Sequence, residues 1–158
     1  GKMGAPPANR AGHGRANPAG IPYLYLGSTA TTAVAEVRPH TGEKACVATF
    51  HVSPIHAVDL RNPRKSISPF ILENAEQIAE LRSGLPLLER LGEELTKPVQ
   101  PSSTAFEYIP SQYLCEFIYR SSVSDGVNLA LFFPELASPK DVKVVRVDRV
   151  TVGISTPL

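Results

Sequence analysis

Three side chains early in the chain have types and spacing that suit chemistry on a phosphorylated sugar: Arg15 in "GRANP", Tyr25 in "IPYLYLG" and Glu36 in "STATTAVAEV". An arginine fork matches phosphate oxygens in pairs, and the small neighbours Gly14 and Ala16 let a ligand come close to the backbone. A carboxylate can stabilise a developing cation or position a sugar hydroxyl. A tyrosine ring can stack on a ligand ring. Each residue also has an ordinary reading. By type alone Glu36 belongs on a solvated helix face, Arg15 is a loop charge and Tyr25 is a core tyrosine. Tyr23 and Tyr25 are two apart, so a regular strand puts both on one face, where one packs and the one nearer the strand end meets a ligand. Downstream, "YRSSVSDGVN" gathers Ser121, Ser122 and Ser124 before Gly126. Their hydroxyls suit phosphate or ribose oxygens, or a plain polar turn.

Several chemistries lack their signature. No G-x-S-x-G elbow marks Ser121 as an acyl nucleophile, and neither a P-loop nor the dinucleotide glycine fingerprint occurs. His13, His40, His51 and His56 have no zinc spacing, so no metal is expected. Cys46 and Cys115 are far apart and fit a reduced, cytoplasmic setting more simply than a disulfide. Sixteen basic and fifteen acidic residues give a net charge of +1 with no basic block, which argues against nucleic acid or an anionic membrane as main partner. An apolar content of 42% with 20% charged residues is a globular composition, and 158 residues suit one domain spanning 1–158. No apolar run of about eighteen residues and no signal-peptide pattern occurs, so a soluble protein is expected.

The elements that must position these residues follow from periodicity. The opening "GKMGAPPANRAGHGRANPAG" is rich in turn formers and reads as an active-site loop, or as a segment following something the chain does not include. Residues 21–27 predict a strand. Ser28 then caps a helix with Ala30, Ala33, Val34 and Val37 at helical spacing and Pro39 as its stop. That helix puts Thr29, Thr32 and Glu36 on one face and turns Ala33 and Val37 inward. Residues 44–52 and 57–60 read as strands. From 69 to 95 the period is helical, in two stripes divided by Gly84 and Pro86. "PSQYLCEFI" (110–118) reads as a helix burying Leu114 and Phe117, "NLALFF" as a strand ended by Pro134, and "VKVVRVDRVTVGI" as a strand with one wet face. Helices and strands mix without a regular βαβ repeat, so the class is α+β.

Together, "GRANPAGIPYLYL", the helix end "TAVAEVRP", "YIPSQYL" and "YRSSVSDGVNLALF" resemble the RES domain family, named for an arginine, a glutamate and a serine. The resemblance runs from about Gly4 to Phe133, with the motifs in the family's order. It implies that Arg15 is the family's arginine, Tyr25 its strand tyrosine, Glu36 its glutamate and Ser121 its serine, with Ser122 or Ser111 as alternatives. It further implies an ADP-ribosyltransferase-like mixed sheet with flanking helices, and a toxin of a bacterial toxin–antitoxin pair. Such an enzyme cleaves the nicotinamide–ribose bond of NAD by phosphorolysis or hydrolysis. Glu36 and Arg15 are then catalytic, and Arg15, Tyr25 and Ser121 bind the substrate. NAD is consumed rather than kept as a cofactor, with phosphate as an optional co-substrate. A protein antitoxin that blocks the active site is the implied partner, with self-association left open.

The same pocket would serve a protein ADP-ribosyltransferase, and a catalytically dead member would be a nucleotide- or partner-binding module. Two departures from the family pattern stand out. Members usually begin with a further arginine-bearing strand ahead of the "MGAPP" region, which this chain does not show. The Gly-Asp-Gly-like stretch between "QYL" and "YRSS" is also absent, so that Ile118 runs straight into Tyr119. A helix turning directly into a strand there lacks both cap and connection, so a loop missing between the two residues is expected.

Overall fold

A computed structural model describes residues 3–14, 16–66, 68, 70, 72–96, 117–120 and 124–151. Strand β1 (Leu24–Gly27) leads into helix α1 (Ala30–Glu36), followed by β2 (Lys44–Val52), β3 (Val58–Asp59) and the single-turn helix α2 (Pro63–Ser66). The long helix α3 (Ala75–Thr96) precedes β4 (Phe117–Arg120), β5 (Val127–Leu131) and β6 (Ala137–Arg146). Four strands make a mixed sheet in the order β1-β5-β4-β3, antiparallel except for the β3–β4 pair. Strands β2 and β6 form a separate antiparallel ribbon, irregular at Thr49/Phe50. The class is α+β, as the intermixed periodicities predict.

Strand β5 is central to the sheet, and its Ala130 and Leu131 are fully buried. Ala130 packs in one cluster with Ala16, Leu60, Leu91 and Leu95, so α3 and the loop before β1 close over this part of the sheet. Tyr23 and Phe132 join the cluster and stack on each other with ring centroids 4.2 Å apart. Burial pushes the Tyr23 phenol above its ordinary value. Of the two tyrosines, Tyr23 is therefore the packing one, and Tyr25 is 40% exposed.

Helix α1 departs from expectation in its cap and its faces. Ser28 extends the β1–β5 ladder instead: its N–H donates to the Val127 carbonyl at 2.8 Å, and its Oγ accepts from the Val127 N–H at 3.1 Å. Thr29 takes over as cap, its Oγ1 accepting from the Thr32 N–H at 3.1 Å. The helix ends at Glu36, because Arg38 precedes Pro39 and takes a left-handed conformation with φ of 48°. The expected wet face turns inward at Thr32, which is 2% exposed, while Val37, expected inside, is 70% exposed. Gly126 explains the burial of Thr32, since a Cβ there would stand 1.9 Å from Thr32 Oγ1. Gly126→Ala is accordingly expected to cost about 1–3 kcal/mol through overpacking, read as a lower midpoint in chemical denaturation. An unchanged midpoint would mean that the turn yields freely.

Two further expectations are corrected. Residues 75–96 form one continuous helix, so Gly84 and Pro86, expected to divide its apolar stripes, do not interrupt it. A proline removes one backbone bond, and this helix is fastened mainly by Leu91 and Leu95 in its C-terminal half. It begins at Ala75, where the Asn74 side chain accepts from the Gln77 N–H at 2.9 Å, so residues 72–74 stand outside it, and residue 69, where the helical period was expected to start, lies outside the described residues. Phe117 and Ile118 belong to strand β4, not to a helix; the remainder of that expected helix, 110–116, lies outside the described residues. Ile118 pairs with Leu129 and Tyr119 with Asn128, successive rungs of one ladder. Ile118 and Tyr119 are thus consecutive residues of one strand, and the cap and connection that a helix-to-strand reversal would need are not required at that point.

Candidate active site

The site begins with a loop closed on one asparagine. Asn17 is 5% exposed, and its Nδ2 donates to the carbonyls of Gly12, Pro18 and Ile21 at 2.9, 3.1 and 3.0 Å. Its Oδ1 accepts from the Tyr25 hydroxyl at 2.7 Å, and the Tyr25 oxygen accepts from the Ala16 N–H at 3.2 Å. The Gly14 N–H donates to the Asn17 carbonyl at 2.9 Å. A Cβ on Gly14 would come 2.2 Å from Asn17 Oδ1 and 2.8 Å from the Tyr25 oxygen, so only glycine fits there. Arg15 itself lies outside the described residues; its neighbours Gly14 and Ala16 are bound to the Tyr25–Asn17 pair. Tyr25 therefore spends its hydroxyl on anchoring this loop while part of its ring stays exposed.

Glu36 stands at the last position of α1, exposed, yet its Oε1 accepts from Asn128 Nδ2 at 2.6 Å. Asn128 is 4% exposed on β5 and pairs in register with Gly27. An amide buried in a strand has to find a partner, and an ionised carboxylate is a strong one. Tyr25 pairs with Ala130, two residues along from Asn128, so Tyr25 and Asn128 rise from the same face of neighbouring strands.

Both line a cleft of about 770 Å³ between β1, β5, α1 and the β2–β6 ribbon, a size that accommodates a nucleotide-sized ligand. Ser28 and Thr29 add hydroxyls to its wall. Arg61 and Lys143 are its basic residues, and the described lining contains no Asp or Glu. Arg61 is already engaged: its Nε donates to Asp59 Oδ1 at 2.9 Å, and a second guanidinium nitrogen to Oδ2 at 2.5 Å. That fork holds the Asp59 carboxyl below its ordinary range.

Ser121, Ser122 and Ser111 lie outside the described residues. Ser124 follows the ordinary reading, its Oγ accepting from the Gly126 N–H at 3.2 Å within a turn. Cys46 is an exposed free thiol, and Cys115 is outside the described residues. Among the described residues no three His, Cys, Asp or Glu side chains gather as a metal site, and no helix is long and apolar enough to cross a membrane. Sequence reasoning passed over Asn17 and Asn128. A signal for the second was present: an asparagine inside the apolar strand "VNLAL" is out of place unless its amide holds something.

Fold and site define an α+β protein whose carboxylate is tied to the wall of a cleft with no Asp or Glu in its described lining. The RES domain model matches residues 2–150, and the chain belongs to the RES domain family. That family is associated with NAD-related toxin activity and with toxin–antitoxin systems. Neither a curated protein nor a solved structure matches the chain.

Proposed function

We propose that this chain is an NAD-degrading toxin that breaks the nicotinamide–ribose bond by phosphorolysis or hydrolysis in an ADP-ribosyltransferase-like cleft. The observation that carries the reading is the Glu36 carboxylate, held 2.6 Å from Asn128 beside the cleft that Tyr25 also lines. As the bond from ribose C1 to the pyridinium nitrogen breaks, its electron pair neutralises the leaving nicotinamide and the ribose becomes an oxocarbenium ion. A carboxylate held beside that carbon stabilises the ion. Water then adds to C1 and loses a proton, giving ADP-ribose; phosphate adds to give ADP-ribose 1″-phosphate. Arg15 pairs with the pyrophosphate, the exposed part of the Tyr25 ring borders the nicotinamide, and Ser121 holds an oxygen of the ribose or phosphate. The reaction belongs in the bacterial cytoplasm, where a protein antitoxin would block the cleft.

Incubating the full chain with NAD, with and without phosphate, tests the reading. Free nicotinamide with ADP-ribose identifies hydrolysis, and ADP-ribose 1″-phosphate identifies phosphorolysis. ADP-ribose attached to a protein would replace the reading with transfer, and undiminished NAD in every arm would replace it with a binding module.

A further inference from the structure

We propose that Lys143 is a second cation, beside Arg15, that receives the phosphates of the nucleotide in this cleft, an assignment that rests on the NAD reading above. Lys143 pairs in register with Val47, which is 9% exposed, so position 143 lies on the buried-side face of the ribbon. Val142 and Val144, on the other face, are 51% and 64% exposed. Lys143 shares that face with Val47 opposite and the half-buried Val145 two residues along, and its own side chain is exposed at the cleft.

The electrostatics point the same way. Lys143 and Arg61 are the basic residues of the described lining, where there is no carboxylate. Arg61 is neutralised by Asp59, whereas the Lys143 side chain makes no ion pair or hydrogen bond among the described residues. Among the described lining residues, a diphosphate entering the cleft therefore meets Lys143 as the cation without a paired carboxylate. Tyr25 and Asn128, the residues that tie the Arg15 loop and Glu36 to the sheet, line the same cleft. A dinucleotide lying across it would have its reacting ribose toward Glu36 and its phosphates toward the ribbon. Inward charges can also guard exposed strand edges against pairing, and that role predicts a different outcome.

The test is calorimetric titration of ADP-ribose into the parent, Lys143→Ala and Lys143→Arg, alongside NAD kinetics with and without inorganic phosphate. Lys143→Ala is expected to weaken ADP-ribose binding and raise KM for NAD about tenfold, the low end for a charge-assisted contact that water partly screens. Lys143→Arg should recover most of the loss, and added salt should weaken the parent toward the alanine variant. Equal binding of ADP-ribose by parent and Lys143→Ala overturns the assignment, as does a parent that does not bind it. A change confined to KM for inorganic phosphate overturns it by giving Lys143 the co-substrate instead. Self-association of Lys143→Ala with intact nucleotide binding overturns it in favour of edge protection. Lys143-dependent ADP-ribose binding in a chain that spares NAD upholds the assignment and removes the proposed reaction, so the two fail separately.

Discussion

Glu36→Gln is expected to leave the protein folded and to slow NAD consumption about a hundred- to a thousandfold, the usual cost of removing one electrostatic stabiliser of a transition state. The amide is nearly the size of the carboxylate, and its carbonyl oxygen can still accept from Asn128, whose Nδ2 now meets Glu36 Oε1 at 2.6 Å. What disappears is the negative charge opposite the developing oxocarbenium ion. The loss should therefore fall on kcat, with KM for NAD little changed, because the charge acts more strongly on the transition state than on bound NAD. Turnover within a few-fold of the parent would remove Glu36 from the chemistry. A collapsed melting curve would make it a structural residue, whose work is to satisfy Asn128.

Asn17→Ala should be the most damaging single change to the loop. It strips partners from the carbonyls of Gly12, Pro18 and Ile21 and from the Tyr25 hydroxyl at once. Each polar group left buried without a partner costs about 1–3 kcal/mol, and water entering the gap will recover part of the sum. A net loss of about 3 kcal/mol lowers Tm by roughly 10 °C in a chain of this size. Tyr25→Phe is the matched comparison. It removes only the hydroxyl, keeps the ring and leaves the three carbonyl contacts in place, so it should cost about 1 kcal/mol. Thermal melts of the two variants should differ severalfold in their shifts. If Asn17→Ala melts with the parent, the loop is held by its turn-forming backbone rather than by this amide.

These two residues mark different limits of reading a sequence. Glu36 stood out on residue type and motif, as one carboxylate among alanines and valines in a short helix. Asn17 and Asn128 did not, although both are buried and both hold the residues that were noticed. Their importance lies in contacts, and a polar residue in a loop or strand does not announce its partner.

Local physics was legible wherever a residue's own neighbours decide the backbone. The run "KACVATFHV" is strand β2 to the residue, because β-branched and aromatic side chains fill it and turn formers flank it. Arg38 and Pro39 ended α1 by a steric rule internal to the dipeptide. The α+β class and the RES relationship were carried by order and spacing along the chain.

Tertiary structure decided the rest, because burial and pairing are properties of what arrives from elsewhere. Phe117 and Ile118 had a helix-compatible pattern, but β3 on one side and β5 on the other offered strand partners, and short apolar runs go where the ladder is. Thr32 became buried and Val37 exposed because the Gly126 turn settles on one side of α1. The Glu36–Asn128 bond joins residues 92 positions apart. Only the antiparallel pairing of β1 with β5, which sets Gly27 opposite Asn128, brings that amide under the end of the helix.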